Sequence, residues 1–128
     1  MTTKDASKTV AVVDDSPLAL AITRRALEGP GISVHTAGNI AELEQVIARA
    51  SPDLLLVDVN MPEMFGDDVV MVLKRVRRVP IPIWLFSHTG EADLAGRALH
   101  AGADGYVSKA EGMQAVVDRV HAFLGLRP

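Results

Sequence analysis

The sequence predicts a doubly wound α/β domain, a parallel sheet of five strands with helices on both faces. Three observations carry this expectation. Short apolar runs alternate with amphipathic segments five times along the 128 residues. Three of the runs are apolar almost throughout instead of at every second position, as in strands buried on both faces. The intervening segments are long enough for helical crossovers, which make strands parallel and connections right-handed.

The strand candidates are TVAVVD (9–14), ISVHTA (32–37), DLLLVDV (53–59), IPIWLFS (81–87) and DGYVSK (104–109). The first helix opens at Ser16-Pro17, an N-cap followed by proline at the first helical position, and stops at Gly29-Pro30-Gly31. Asn39 and Glu42 have the spacing of a capping box. Ile40, Leu43, Val46, Ile47 and Ala50 then keep helical periodicity up to Pro52. A third helix follows Gly66, with Val69, Val72, Leu73 and Val76 as its inner stripe. A fourth, about 91–101, offers only Leu94, Ala95, Ala98 and Leu99. The fifth carries Met113, Val116, Val117, Val120, Phe123 and Leu124. Gly66, Gly102 and Gly105 read as turn and cap positions.

The length fits one domain, with a polar tail at 1–7 and a folded core at about 8–125. No cysteine is present, which removes disulfides, cysteine-bound zinc and thiol chemistry. A net charge of −3 argues against direct nucleic-acid binding. No apolar run approaches a membrane span and the N-terminus has no signal-peptide core, so a soluble cytoplasmic protein is expected.

Ligands of such sheets bind beyond the carboxyl ends of the strands. Here the first strand ends in Asp14 and Asp15 and the third in Asp58. The fourth ends in Ser87, followed by His88 and Thr89, and the fifth ends in Ser108 and Lys109. Two carboxylates about 5 Å apart repel by roughly 3 kcal/mol at an effective dielectric near 20. A divalent cation relieves that repulsion, and all-oxygen ligands suit Mg²⁺ or Mn²⁺. A metal beside a carboxylate, a hydroxyl and an amine suggests phosphoryl transfer through an acyl phosphate. Asp58, alone on the central strand, is the nucleophile candidate, and the pair Asp14-Asp15 the metal holders.

Ordinary readings exist for each residue. The acidic pair could cap a helix, Ser87 could be a loop hydroxyl, Lys109 a solvated amine and Tyr106 a packing aromatic. His35, His100 and His121 do not cluster by spacing into a metal site. Arg75, Arg77 and Arg78 favour a helix C-terminus. No phosphate-cradling G-x-x-x-x-G-K-[ST] pattern occurs.

Taken together, VVDDSP, LLLVDVNMPEMFG, Ser87 and AGADGYVSKA resemble the receiver domain of two-component response regulators, close to the single-domain chemotaxis type, from about Lys8 to Leu124. The resemblance implies a flavodoxin-like (βα)5 fold with strand order 2-1-3-4-5. It implies that Asp58 accepts a phosphoryl group from a histidine kinase, a phosphotransfer protein or a small phosphodonor. Mg²⁺ would be held by Asp14, Asp15, Asp58 and the backbone carbonyl of Asn60. Lys109 and Ser87 would bind the phosphoryl oxygens, and Tyr106 would act as a rotamer switch. Targets would dock on the face formed by the fourth helix, fifth strand and fifth helix. The protein would be a monomer or a weak phosphorylation-dependent dimer, and at most would catalyse its own phosphorylation and dephosphorylation.

Three positions depart from the family pattern. Ala110 replaces the usual proline after Lys109, Phe65 replaces a polar residue, and His88 a small one. His88, Thr89, Asn60 and Phe65 are candidates for tuning the site. Two other functions compete. One is a receiver fold that binds partners without phosphorylation. The other is an aspartyl-phosphate hydrolase of the haloacid dehalogenase type, disfavoured because the acidic pair precedes the nucleophile and no room exists for a cap. The short tail after Leu124 leaves no output domain, as expected of a stand-alone chain or of a piece cut from a longer one.

Overall fold

A computed structural model describes residues 7–61, 65–88 and 90–126. Its elements run β1 (Lys8–Val13), α1 (Pro17–Leu27), β2 (Ile32–Ala37), α2 (Ile40–Ala50), β3 (Leu54–Asp58) and α3 (Gly66–Met71). A π-helical segment (Val72–Val76) continues α3, and β4 (Ile83–Ser87), α4 (Glu91–Ala101), β5 (Gly105–Ser108), a 3-10 turn (Lys109–Glu111) and α5 (Met113–Leu124) follow. The sheet order is β2-β1-β3-β4-β5 with every pairing parallel, as the resemblance implied.

Strand alternation builds two cores. Ala11, Val13, Leu55, Val57, Ile83 and Leu85 face α2, α3 and α4. Val10, Val12, Leu54, Leu56, Trp84 and Phe86 face α1 and α5, where Leu27, Val116 and Val120 meet them. The central strands are therefore buried on both sides, which is why their sequences do not alternate. No helix among the described residues is long and apolar enough to cross a membrane.

Helix ends follow local chemistry. Ser16 Oγ accepts the Ala19 N–H at 3.1 Å, and Asn39 Oδ1 accepts the Glu42 N–H at 2.9 Å. The expected capping box is shifted by one residue, because Glu42 Oε1 accepts from Gly38 N–H at 2.7 Å instead of from Asn39.

Two helical stripes differ from expectation. In α3 the chain widens to π geometry at Val72, so later residues rotate away from the 3.6-residue stripe. Leu73 stays fully buried while Val76 is 71% exposed. In α4, Leu94 and Ala98 are buried as expected, but Leu99 is 84% exposed and Ala101 takes the inner place. Phe123 of α5 is half-exposed and meets Trp84 edge-on, with ring centroids 5.0 Å apart. Gly105 is a strand residue and not a cap: a Cβ there would lie 2.7 Å from Trp84 Nε1.

Candidate functional site

Register brings the rim together. Val13 pairs with Val57, so Asp14 and Asp58 leave adjacent strands side by side. Asp58 pairs with Phe86 and Ser87 with Ser108, so Ser87 and Lys109 emerge next along the same edge. Carboxylate oxygens of Asp14, Asp15 and Asp58 all lie within 4.8 Å of one another. Asp14, Asp58 and Ser87 are buried, whereas Asp15 is exposed.

The charges are arranged unevenly. Asp14 Oδ1 accepts the Ser16 N–H at 3.0 Å, which ties the first carboxylate to the start of α1. Its other oxygen lies 3.6 Å from Lys109 Nζ, in a pair almost closed to solvent. The Lys109 ammonium also sits 4.2 Å from the centroid of the Phe86 ring. Asp58 is pushed up from 3.8 to about 6, first by burial and then by the Asp14 charge. Lys109 and the Asn60 backbone N–H oppose the rise, and Asp15 adds a little to it. Burial and the neighbouring Asp14 carboxylate thus both oppose the charge on Asp58.

That imbalance is what a cation would correct, and three oxygen donors this close suit a hard divalent ion. Millimolar Mg²⁺ is expected to raise the melting temperature. At ten times the dissociation constant the gain is about 1.4 kcal/mol, or about 5 °C for a domain of this size. Asp15→Asn should blunt the shift. Scanning calorimetry with and without Mg²⁺ checks this, and an equal shift in both proteins would remove Asp15 from the site.

The remaining expected residues are placed as follows. Asn60 is exposed and its Nδ2 donates to Ser87 Oγ at 3.1 Å, a long-range contact that no local spacing foretells. Tyr106 is half-buried against the α2–α3–α4 core, and its carbonyl accepts from Arg119 at 3.3 Å. Phe65 is 56% exposed, with the Arg97 guanidinium 5.9 Å from its ring centroid. The residue thus leans toward α4 instead of standing clear as a bare surface aromatic. His88 is exposed and lines a cleft of about 240 Å³ together with Ala19, Ile22, Lys109 and Met113. Thr89 and Pro62 of the NMPEMFG stretch lie outside the described residues.

Ala110 makes use of being no proline. Its N–H donates to Ser108 Oγ at 3.1 Å, and no cis peptide occurs among the described residues. Gly66 carries a role that its reading as a turn residue missed. A Cβ there would lie 2.1 Å from the carbonyl oxygen of Asp58, so the loop entering α3 rests directly on the strand end.

A five-stranded parallel sheet in this order, with an acidic rim and a lysine after the last strand, is the architecture of a receiver domain. The chain belongs to the response regulator receiver domain family, which matches residues 10–121. It is 35% identical over 127 residues to the transcriptional regulatory protein PrrA of Mycobacterium leprae, covering 99% of this chain and 54% of that one. The chain spans about half the length of the curated relatives it matches. Among solved structures it is similar to a LuxR-family two-component response regulator from Aurantimonas sp. SI85-9A1. The TM-score is 0.79 at 27% identity, over 94% of this chain and 88% of that one. The Vibrio cholerae chemotaxis protein CheY4 shares the fold, with a TM-score of 0.78 at 24% identity over 91% of this chain and 98% of that one.

Proposed function

We propose that this receiver domain is a phosphorylation switch whose acceptor is Asp58. The observation that carries the reading is the gathering of Asp14, Asp15 and Asp58 within 4.8 Å, with Lys109 paired to Asp14 at the same rim. At neutral pH a carboxyl that titrates near 6 is mostly ionised yet more basic than an ordinary aspartate, which suits a nucleophile.

A carboxylate oxygen of Asp58 attacks the phosphorus of a phosphohistidine on a kinase or phosphotransfer protein. A P–O bond forms and the P–N bond breaks. Its electron pair returns to the donor imidazole, which takes a proton from water. Mg²⁺ held by Asp14, Asp15, Asp58 and the Asn60 carbonyl would neutralise charge on the phosphoryl oxygens. Lys109 would leave its contact with Asp14 to pair with one of those oxygens, and Ser87 would exchange its bond with Asn60 for another. Tyr106 would follow Ser87 inward as a rotamer switch and carry the change to the α4–β5–α5 face, where targets would dock. His88, Thr89, Asn60 and Phe65 would set the lifetime of the phosphoryl group.

A protein donor needs a surface as well as a reactive site. Leu18 and Ile22 of α1 are 70% and 50% exposed, and Ile22 opens onto the cleft that holds His88 and Lys109. Ile22→Asp is expected to slow transfer from a phosphohistidine protein about tenfold or more, a loss typical of an apolar interface anchor. Labelling by acetyl phosphate should be unchanged. Equal slowing with both donors would place Ile22 in the fold and not in docking.

The test of the function is phosphotransfer from a purified, ³²P-labelled histidine kinase domain. Label is expected to leave the kinase and appear on this chain only with Mg²⁺. Label that stays on every kinase tried, while small donors also fail, would overturn the reading.

A further inference from the structure

Away from Asp58, at the other end of the sheet, a groove of about 340 Å³ lies between β2 and α2. Its lining is Thr9, Ser33, His35, Val46, Arg49 and Ala50. Thr9 stands five residues before Asp14, about 16 Å along an extended chain. The groove therefore belongs to neither the acidic rim nor the cleft at His88.

Strand register builds its floor. Thr9 pairs with Ser33 and Ala11 with His35, so Thr9, Ser33 and His35 project from the sheet face that carries Ala11 and Val13. β2 is an edge strand, and Ser33 and His35 remain exposed beside α2. The helix supplies Val46, Arg49 and Ala50, spaced three and four residues apart on one side.

The chemistry of the lining has one sign. Its four polar side chains are an arginine, a histidine and two hydroxyls, each able to donate, and no carboxylate lines the groove. Arg24, Lys74 and Arg77 each pair with a carboxylate, as does buried Lys109. Among the described residues Arg49 has no such partner, and its Nε reaches only the Gln45 carbonyl of its own helix at 3.4 Å. Asp53 Oδ2 accepts the Thr9 backbone N–H at 2.8 Å, and this exposed carboxylate is not part of the lining.

We infer that this groove binds a phosphate group, free or carried on a small molecule. Arg49 and His35 face the oxygens, Ser33 and Thr9 donate from the floor, and Val46 and Ala50 offer an apolar wall for a carbon skeleton. A planar guanidinium with free donors matches phosphate geometry, and the volume falls in the usual range for small ligands, about 300–1,000 Å³. A carboxylate would leave more of these donors unused than a phosphate would.

The inference is tested on the full chain in EDTA by backbone amide NMR, titrating inorganic phosphate and then glycerol 3-phosphate with ionic strength held by chloride. Saturable shifts are expected at Ser33, His35, Arg49 and Ala50, without saturable shifts at Asp14 and Asp15. Arg49→Gln, an exposed position, should weaken binding about tenfold or more, the usual effect of losing a charge-assisted contact. Tighter binding of the ester assigns the groove to a small organic phosphate, and equal binding assigns it to the free ion. Shifts that rise linearly without saturating, or an affinity unchanged in Arg49→Gln, overturn the inference.

Discussion

Asp58→Asn is expected to make the metal-free protein more stable at neutral pH, although it removes the group the site is built around. The sign follows from linkage. Asp58 titrates at about 6 in the folded chain against 3.8 for an unperturbed aspartate. Below both values the carboxyl is protonated in the folded and unfolded states and contributes nothing. Between them the unfolded chain loses its proton first, so stability falls as pH rises. Above about 6 the whole penalty is present, on the order of 3 kcal/mol for a displacement of this size. Asparagine keeps the shape and carries no charge. The stability difference between the variant and wild type should therefore grow from about pH 4 to pH 6.5 and then level off, reaching about 1–3 kcal/mol. Urea unfolding in EDTA at pH 4, 5, 6 and 7.5 measures it. A variant less stable than wild type at pH 7.5 would mean that Asp58 is not strained by its neighbours.

Gly66→Ala should act in the opposite direction and strongly. The new methyl would lie 2.1 Å from the Asp58 carbonyl oxygen, 2.7 Å from its carbonyl carbon and 2.8 Å from Val59 Cα. All three are backbone atoms, so no side chain can swing aside. Relief requires lifting the loop, which breaks the Gly66 N–H to Val59 carbonyl bond of 3.0 Å, or bending the end of β3. A cost of about 3 kcal/mol or more is expected, at the upper end of overpacking effects. The phosphoacceptor would move with it. Gly96→Ala is the control, because nothing lies within 4 Å of its Cβ and the site is mid-helix in α4. That change should stabilise by about 0.5–1 kcal/mol. Denaturant unfolding of the pair checks both signs, and a neutral Gly66→Ala would show that the loop does not rest on Asp58.

Much of this molecule can be read without coordinates, for identifiable reasons. The strands are buried on both faces, so Val10 to Val13 and Leu54 to Val57 stand out as apolar blocks. Ser16-Pro17 and Asn39 mark helix starts through short-range hydrogen bonds that sequence spacing expresses directly. The rim residues follow strand ends, so finding the strands finds Asp14, Asp58, Ser87 and Lys109. The errors arise where tertiary packing overrides periodicity. Val76 and Leu99 fit a 3.6-residue stripe, yet a π turn rotates the first outward and α4 turns a different edge inward, seating Ala101. Contacts between distant segments left no local trace. The bond from Asn60 to Ser87 spans 27 positions, and Phe65 meets Arg97 across two elements. Gly66 gave a partial signal: it was visible as a turn residue, but only the position of the Asp58 carbonyl explains why no other residue fits.

The most direct test of the central claim is intact mass after incubation with acetyl phosphate, for wild type and Asp58→Asn, each with Mg²⁺ and with EDTA. One base-labile addition of about 80 Da, the mass of a single phosphoryl group, is expected on wild type with Mg²⁺ and in none of the other three samples. An equal addition to the Asp58→Asn variant, or none on folded wild type with Mg²⁺ and either acetyl phosphate or a histidine kinase, would contradict Asp58 as the phosphoryl acceptor.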